Sequence, residues 1–256
     1  MNTTDRIDIT ALSQEELLIS DRLRKMRMSG MADAFEAQVQ DPNADLSPFM
    51  DRFTALVEAE WQLRYNKKLK RFLKNAHLRY PMADLDETIY DPARKLDTAT
   101  IEKLATCEWI EEGKNLLITG MTSSGKTYLG NALCVCALRQ FKSVCYFRTN
   151  MLILQMEQAQ MQSTYLDLLD RLCKVDLLVI DDFGLMELDI EKCRNLFDLI
   201  DAREGRKSTL VISQFPVKSW FEFFKDHTYA DAFMARLTDK RNSYRIEMNG
   251  ISMREK

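Results

Sequence analysis

Apolar and polar positions change rhythm once along the chain. Leu17, Leu18, Leu23, Met26, Met31 and Phe35 recur at helical spacing, which predicts an amphipathic helix over Leu17–Val39. Asp41-Pro42-Asn43 reads as a turn, and Ser47-Pro48 opens a second helix that runs to Arg79, just before Pro81. From Asn115 onward the pattern becomes short apolar runs: Leu116–Thr119, Val144–Arg148, Leu177–Ile180, Leu210–Ser213 and Tyr244–Met248. Helical patterns separate them at Lys126–Phe141, Met151–Cys173 with a break near Ser163, Ile190–Arg203, Val217–Lys225 and Tyr229–Lys240. Strands alternating with helices predict one α/β domain built on a five-stranded parallel sheet. The expected organisation is a helical N-terminal domain over 1–80, a linker over 81–100 and the α/β domain over 101–256.

Composition narrows the class. The chain has 256 residues, 46% of them hydrophobic and 29% charged, and its longest apolar run, Ala132–Leu138, is far too short to span a bilayer. No apolar segment follows a basic start at the N-terminus, so a cytoplasmic address is expected. The six cysteines lie in apolar stretches and are expected to be core thiols. With two histidines and no paired-cysteine spacing, a zinc site has little to be built from.

The strongest chemical signal is Gly120-Met121-Thr122-Ser123-Ser124-Gly125-Lys126-Thr127, a GxxxxGKT run between a strand and a helix. Its glycines allow the backbone N–H groups to converge on phosphate, and the following helix offers its positive end. Lys126 is placed to reach the β and γ phosphates and Thr127 to ligate Mg²⁺, with Tyr128 closing the nucleotide-binding run. The strand Leu177–Ile180 ends in two carboxylates. Asp181 is expected to hold Mg²⁺ and Asp182 to polarise the attacking water. Gln214, after the strand Leu210–Ser213, either orients that water or is a turn residue before Pro216. Arg236, on a late amphipathic helix, is either a solvated arginine or one that completes a neighbouring subunit's site.

A second feature is electrostatic. Trp61–Tyr80 carries seven basic residues and no acid, although the whole chain has a net charge of -3. Arg64, Lys67, Lys68, Lys70, Arg71 and Lys74 are expected to contact DNA phosphates, the alternative being an acidic protein surface. Arg148, Thr149, Asn150, Lys240, Arg241 and Arg245 are further, weaker candidates for DNA contact.

Taken in order, ITGMTSSGKTYLGNAL, LLVIDDFG, STLVISQFPVKSWFE, DAFMARL and YRIEMNGISMR resemble the IstB family, the ATP-binding helpers of insertion-sequence transposition. That family belongs with the DnaC-like helicase loaders among the AAA+ ATPases. The resemblance implies an AAA+ core, an N-terminal helical domain for partner contact, and ATP-dependent homo-oligomers on duplex DNA that recruit and stimulate a transposase. It implies Walker A roles for Lys126 and Thr127, Walker B roles for Asp181 and Asp182, a sensor role for Gln214 and an arginine-finger role for Arg236. Only twenty residues follow Arg236, fewer than a full helical lid requires, so slow, switch-like Mg²⁺-dependent hydrolysis is expected. A replicative-helicase loader is the alternative function.

Overall fold

The computed structural model describes residues 12–90 and 94–249, which form two compact units, Met1–Lys70 and Arg71–Lys256. In the first unit, α1 (Gln14–Lys25) starts with a capping box: the Ser13 side chain accepts from the Glu16 N–H while Glu16 accepts from the Ser13 N–H. The amphipathic stretch expected as one helix is two. Arg27 adopts a left-handed φ of 61°, the Met28 N–H bonds back to Leu23, and α2 (Ser29–Gln40) starts afresh. The two helices are joined by buried Glu36, which accepts from Ser20 and, at 2.9 Å, from Arg24. The α2 N-terminus is capped from the long helix α3 (Phe49–Ala76): Glu60 Oε2 accepts the Gly30 N–H at 2.8 Å and the Met31 N–H at 3.2 Å.

In the second unit, two short helices, α4 (Thr98–Ala105) and α5 (Glu108–Glu111), lead into the sheet. The strands are β1 (Asn115–Gly120), β2 (Val144–Arg148), β3 (Leu177–Phe183), β4 (Ser208–Ser213) and β5 (Ser243–Met248), all parallel and ordered β2-β3-β4-β1-β5. The central three are buried nearly end to end, which is why they read as continuous apolar runs. The crossovers are α6 (Lys126–Arg139), α7 (Thr149–Met161) with α8 (Tyr165–Lys174), α9 (Ile190–Arg203) and α10 (His227–Thr238). The expected break between α7 and α8 falls at Ser163, with φ 57°. Within the expected helical stretch Val217–Lys225, residues 217–223 wind as a 3-10 helix. All six cysteines are free thiols, three of them buried.

Residues 82–90, read from sequence as the start of a linker, lie along the core. The Asp84 N–H donates to the Tyr128 hydroxyl at 3.2 Å, that hydroxyl donates to Glu87 at 2.5 Å, and Asp84 pairs with Arg139 at 2.8 Å. Arg94, almost fully buried, donates to the Ser124 carbonyl at 2.9 Å inside the loop after β1. Among the described residues no helix is long and apolar enough to cross a membrane.

Candidate functional site

Sheet order fixes where the polar strand ends meet. β4 lies between β1 and β3, so their carboxyl ends, and the loops that leave them, share one edge, the usual binding edge of an open parallel sheet. A cavity of about 540 Å³ opens there, lined by Thr122, Ser123, Gly125, Lys126, Thr127 and Tyr128 after β1, Asp181 and Asp182 on β3, and Ser213 and Gln214 on and after β4.

The loop after β1 is shaped by residues that adopt left-handed backbone angles. Gly120 has φ 150°, and a Cβ there would lie 2.2 Å from the Met248 carbonyl oxygen on β5. Gly125, at φ 87°, starts α6, whose N-terminus faces the cavity through Lys126 and Thr127. Lys126 is buried, and its ammonium donates to the Met121 carbonyl at 2.6 Å and the Ser124 hydroxyl at 3.4 Å. Burial pushes its pKa down, and the charges of Asp181 and Asp182 oppose that shift. A buried cation bonded to two neutral oxygens favours an incoming polyanion.

The strand carrying the carboxylates is irregular. Its register with β4 shifts between Ile180 and Phe183, and Asp182 takes φ 57°. Asp181 is buried and held from two sides, with Oδ2 accepting from the Tyr146 hydroxyl at 2.7 Å and Oδ1 from the Asp182 N–H at 2.7 Å. Burial first, then the bond to Asp181, push the Tyr146 phenol well above its ordinary range. Asp182 is more open and lies 3.5 Å from Arg148 Nε at the end of β2. Thr127 and Asp181 offer hydroxyl and carboxylate oxygens, the hard donors that suit Mg²⁺.

Two sequence landmarks meet behind the site. Phe183 of Asp-Asp-Phe-Gly packs edge-on to Trp220 at 4.8 Å and stacks on Phe233 at 5.7 Å. The Ser213 hydroxyl donates to the Phe183 carbonyl at 2.6 Å and accepts the Phe215 N–H at 3.1 Å, while Trp220 Nε1 donates to the Phe215 carbonyl at 3.0 Å. These residues clamp the ends of β3 and β4 together.

Other expected residues lie elsewhere. Arg236 does not line the cavity. It sits 4.6 Å over the Phe197 ring, donates to Asp201, and has Glu204 at 3.6 Å. Met121 and Ser124 are not among the lining residues either: the Met121 side chain is exposed, and Ser124 is buried beneath the loop, contacting Lys126. Thr149 is buried with its hydroxyl on the Asp181 carbonyl at 3.0 Å, and the exposed Arg241 pairs with Asp239 at 3.1 Å. On α3, Arg64, Lys67, Lys68, Lys70, Arg71 and Lys74 are all exposed, but Arg64 is tied to Glu60 at 2.6 Å and to the Arg27 carbonyl at 3.1 Å.

Sequence reading missed the wall contributed by residues of 79–89 and by Arg94. Arg79, Tyr80, Glu87, Thr88, Ile89 and Arg94 all line the cavity. Only their position before an apolar strand and a phosphate loop marks them, since they follow no regular spacing.

The family described as IstB-like ATP binding protein matches residues 21–256 of this chain. The chain belongs to that family. An insertion-sequence ATP-binding protein of Sinorhizobium fredii is 37% identical over 91% of this chain and 92% of its own length. Among solved structures, the DnaC helicase loader superposes with a TM-score of 0.53 at 22% identity, covering 66% of this chain and 98% of the loader. DnaI gives a TM-score of 0.55 at 19% identity, over 70% and 93% of the two chains. The IstB-like chain therefore has the P-loop AAA+ type of fold, with α1–α3 preceding the core.

Proposed function

We propose that this IstB-like chain is an ATP-binding and ATP-hydrolysing helper of DNA transposition. With Mg²⁺ and ATP it assembles into a homo-oligomer on duplex DNA, then recruits and stimulates a partner transposase at the target. The observation that carries this reading is the single cavity in which Lys126, Thr127, Asp181, Asp182 and Gln214 come together from three adjacent strands.

In this reading Lys126 and the loop N–H groups hold the phosphates, while Thr127 and Asp181 hold Mg²⁺. Asp182 and Gln214 orient the attacking water. Arg236 acts in trans, leaving Asp201 to complete the site of a neighbouring subunit. The exposed cations of α3 bind DNA phosphates without reading base edges, and the helical N-terminal unit contacts the partner protein. Turnover is slow, as suits a switch.

The insertion-sequence relatives support a transposase as partner. The fold likeness to DnaC and DnaI supports a second reading, loading of a replicative helicase. Capture experiments with purified transposase and purified replicative helicase, in the presence of duplex DNA and a non-hydrolysable ATP analogue, separate the two. Retention of the transposase alone is the expected result, and retention of the helicase alone would establish the loader.

A further inference from the structure

The basic stretch at the end of α3 does not keep one environment. The helix stops at Ala76, His77 takes a left-handed φ of 54°, and Leu78 is buried. Arg79 and Tyr80 then enter the wall of the cavity that Lys126, Thr127 and Asp181 also line. Their position is fixed by a short bonded chain. The Tyr80 N–H donates to Asn131 Oδ1 at 3.1 Å, and Asn131 Nδ2 donates to the Thr127 carbonyl at 2.7 Å. The guanidinium of Arg79 lies 5.5 Å over the Tyr80 ring, which is 6.0 Å from the ring of Tyr128.

Arg79 makes no ion pair among the described residues. Its charge nevertheless reaches the carboxylate end of the cavity: it opposes the upward shift that burial and the Asp181 hydrogen bond impose on Tyr146. A neighbour in the same wall also lacks a partner. The Thr88 hydroxyl is buried and bonds to no described atom, the kind of group that a bound ligand satisfies. A planar guanidinium without a carboxylate, in the wall of a cavity that a buried lysine and the loop after β1 also line, is suited to act as a phosphate fork.

We propose that Arg79 binds the phosphate chain of the nucleotide held by its own subunit, instead of joining the cations of α3 on DNA. The proposal deepens the nucleotide reading of the cavity and rests on it. Both candidate ligands are phosphates, so the test has to separate nucleotide from DNA.

The test compares the full chain with Arg79→Ala, Arg79→Lys and Lys126→Ala, using a fluorescent ATP analogue with Mg²⁺ and displacement by ATP, ADP or adenosine. Arg79→Ala is expected to weaken ATP and ADP tenfold or more and leave adenosine unchanged, with Arg79→Lys recovering part of the loss. Salt-dependent binding of nucleotide-free protein to duplex DNA is expected to match wild type. Unchanged ATP affinity in Arg79→Ala, an equal loss for adenosine, or a loss confined to DNA would each overturn the proposal. Thermal unfolding checks that the variants fold, and if Arg79→Ala does not, Arg79→Lys and Arg79→Gln decide on the same readouts. Equal ATP binding by wild type and Lys126→Ala would instead defeat the nucleotide reading itself.

Discussion

The Thr122 hydroxyl, on the loop after β1, donates to Gln214 Oε1 beyond β4 at 2.8 Å. The phosphate loop and the candidate sensor are thus bonded directly across the cavity. A γ-phosphate or attacking water that engages Gln214 has to compete with this bond or be aligned by it. Gln214→Ala is expected to lower kcat for ATP by roughly 10- to 100-fold with little change in ATP affinity, since water positioning acts on the chemical step. Thr122→Val should change kcat several-fold. Steady-state hydrolysis beside equilibrium nucleotide binding checks both.

Lys126 is a buried cation of the site, and burial lowers its pKa from the ordinary lysine value of 10.5. Bound phosphate favours the charged form and raises that pKa. Affinity for ATP is therefore full while free Lys126 is protonated. It falls by up to about tenfold per pH unit once pH exceeds the depressed free-state value, and levels off above the raised bound-state value. A titration of affinity against pH on the alkaline side should show the decline beginning below 10.5. A Lys126→Met variant should lose both the affinity and its pH dependence.

Glu60 contributes stability to the N-terminal unit that depends on acid. Burial works to raise its pKa, but the bonds from Arg64, Met31 and Gly30 outweigh it, and the net shift is downward from 4.5. The folded-state pKa is depressed, so the stabilisation is complete above the unfolded value and is lost as pH falls through the folded one. Glu60→Gln is expected to cost about 1–3 kcal/mol, because buried N–H donors of α2 lose a charged acceptor. Hydrogen exchange at the Gly30 and Met31 amides, followed from neutral pH into acid, reads this directly.

The exposed cations of α3 make a separate prediction. Changing Lys67, Lys68, Lys70 and Arg71 to Glu should weaken binding to unrelated DNA sequences alike and flatten the salt dependence, with ATP affinity unchanged. Arg64→Ala should act chiefly on stability, since that guanidinium is already committed to Glu60 and the Arg27 carbonyl. Fluorescence anisotropy across a salt series, together with thermal unfolding, distinguishes the two effects.

Arg236 is paired with Asp201 within its own chain. Arg236→Ala is expected to bind ATP normally and hydrolyse it at least tenfold more slowly. Mixing it with an Asp182→Asn variant should restore part of the hydrolysis, because each mixed interface can pair an intact finger with an intact water-activating acid. Additive, unrestored rates would leave Arg236 with its salt bridge alone.

How far the sequence reveals this molecule differs from element to element. β1, β3 and β4 are legible because strands covered on both faces must be apolar throughout, and Lys126, Thr127, Asp181 and Asp182 because they sit at fixed offsets from those strands. The break between α1 and α2 is hidden. It falls at Arg27, a non-glycine residue in a left-handed conformation, and the apolar spacing continues across it. The 3-10 winding after β4 is likewise set by tertiary packing of Trp220 under Phe183, which helical propensity does not report. Arg79, Thr88 and Tyr146 are invisible for another reason: Tyr146 matters through Asp181, distant in sequence, and Arg79 and Thr88 through a cavity that distant segments complete, so nothing local distinguishes an arginine in a cavity wall from one in solvent.

The central claim is that nucleotide in this cavity drives assembly on DNA. Light scattering of the purified chain with duplex DNA, with and without Mg²⁺ and a non-hydrolysable ATP analogue, measures it most directly. The account predicts a discrete DNA-bound multimer only when nucleotide is present, and its loss in Lys126→Ala. A chain that stays monomeric on adding DNA and nucleotide, or one that assembles equally without nucleotide, would contradict it.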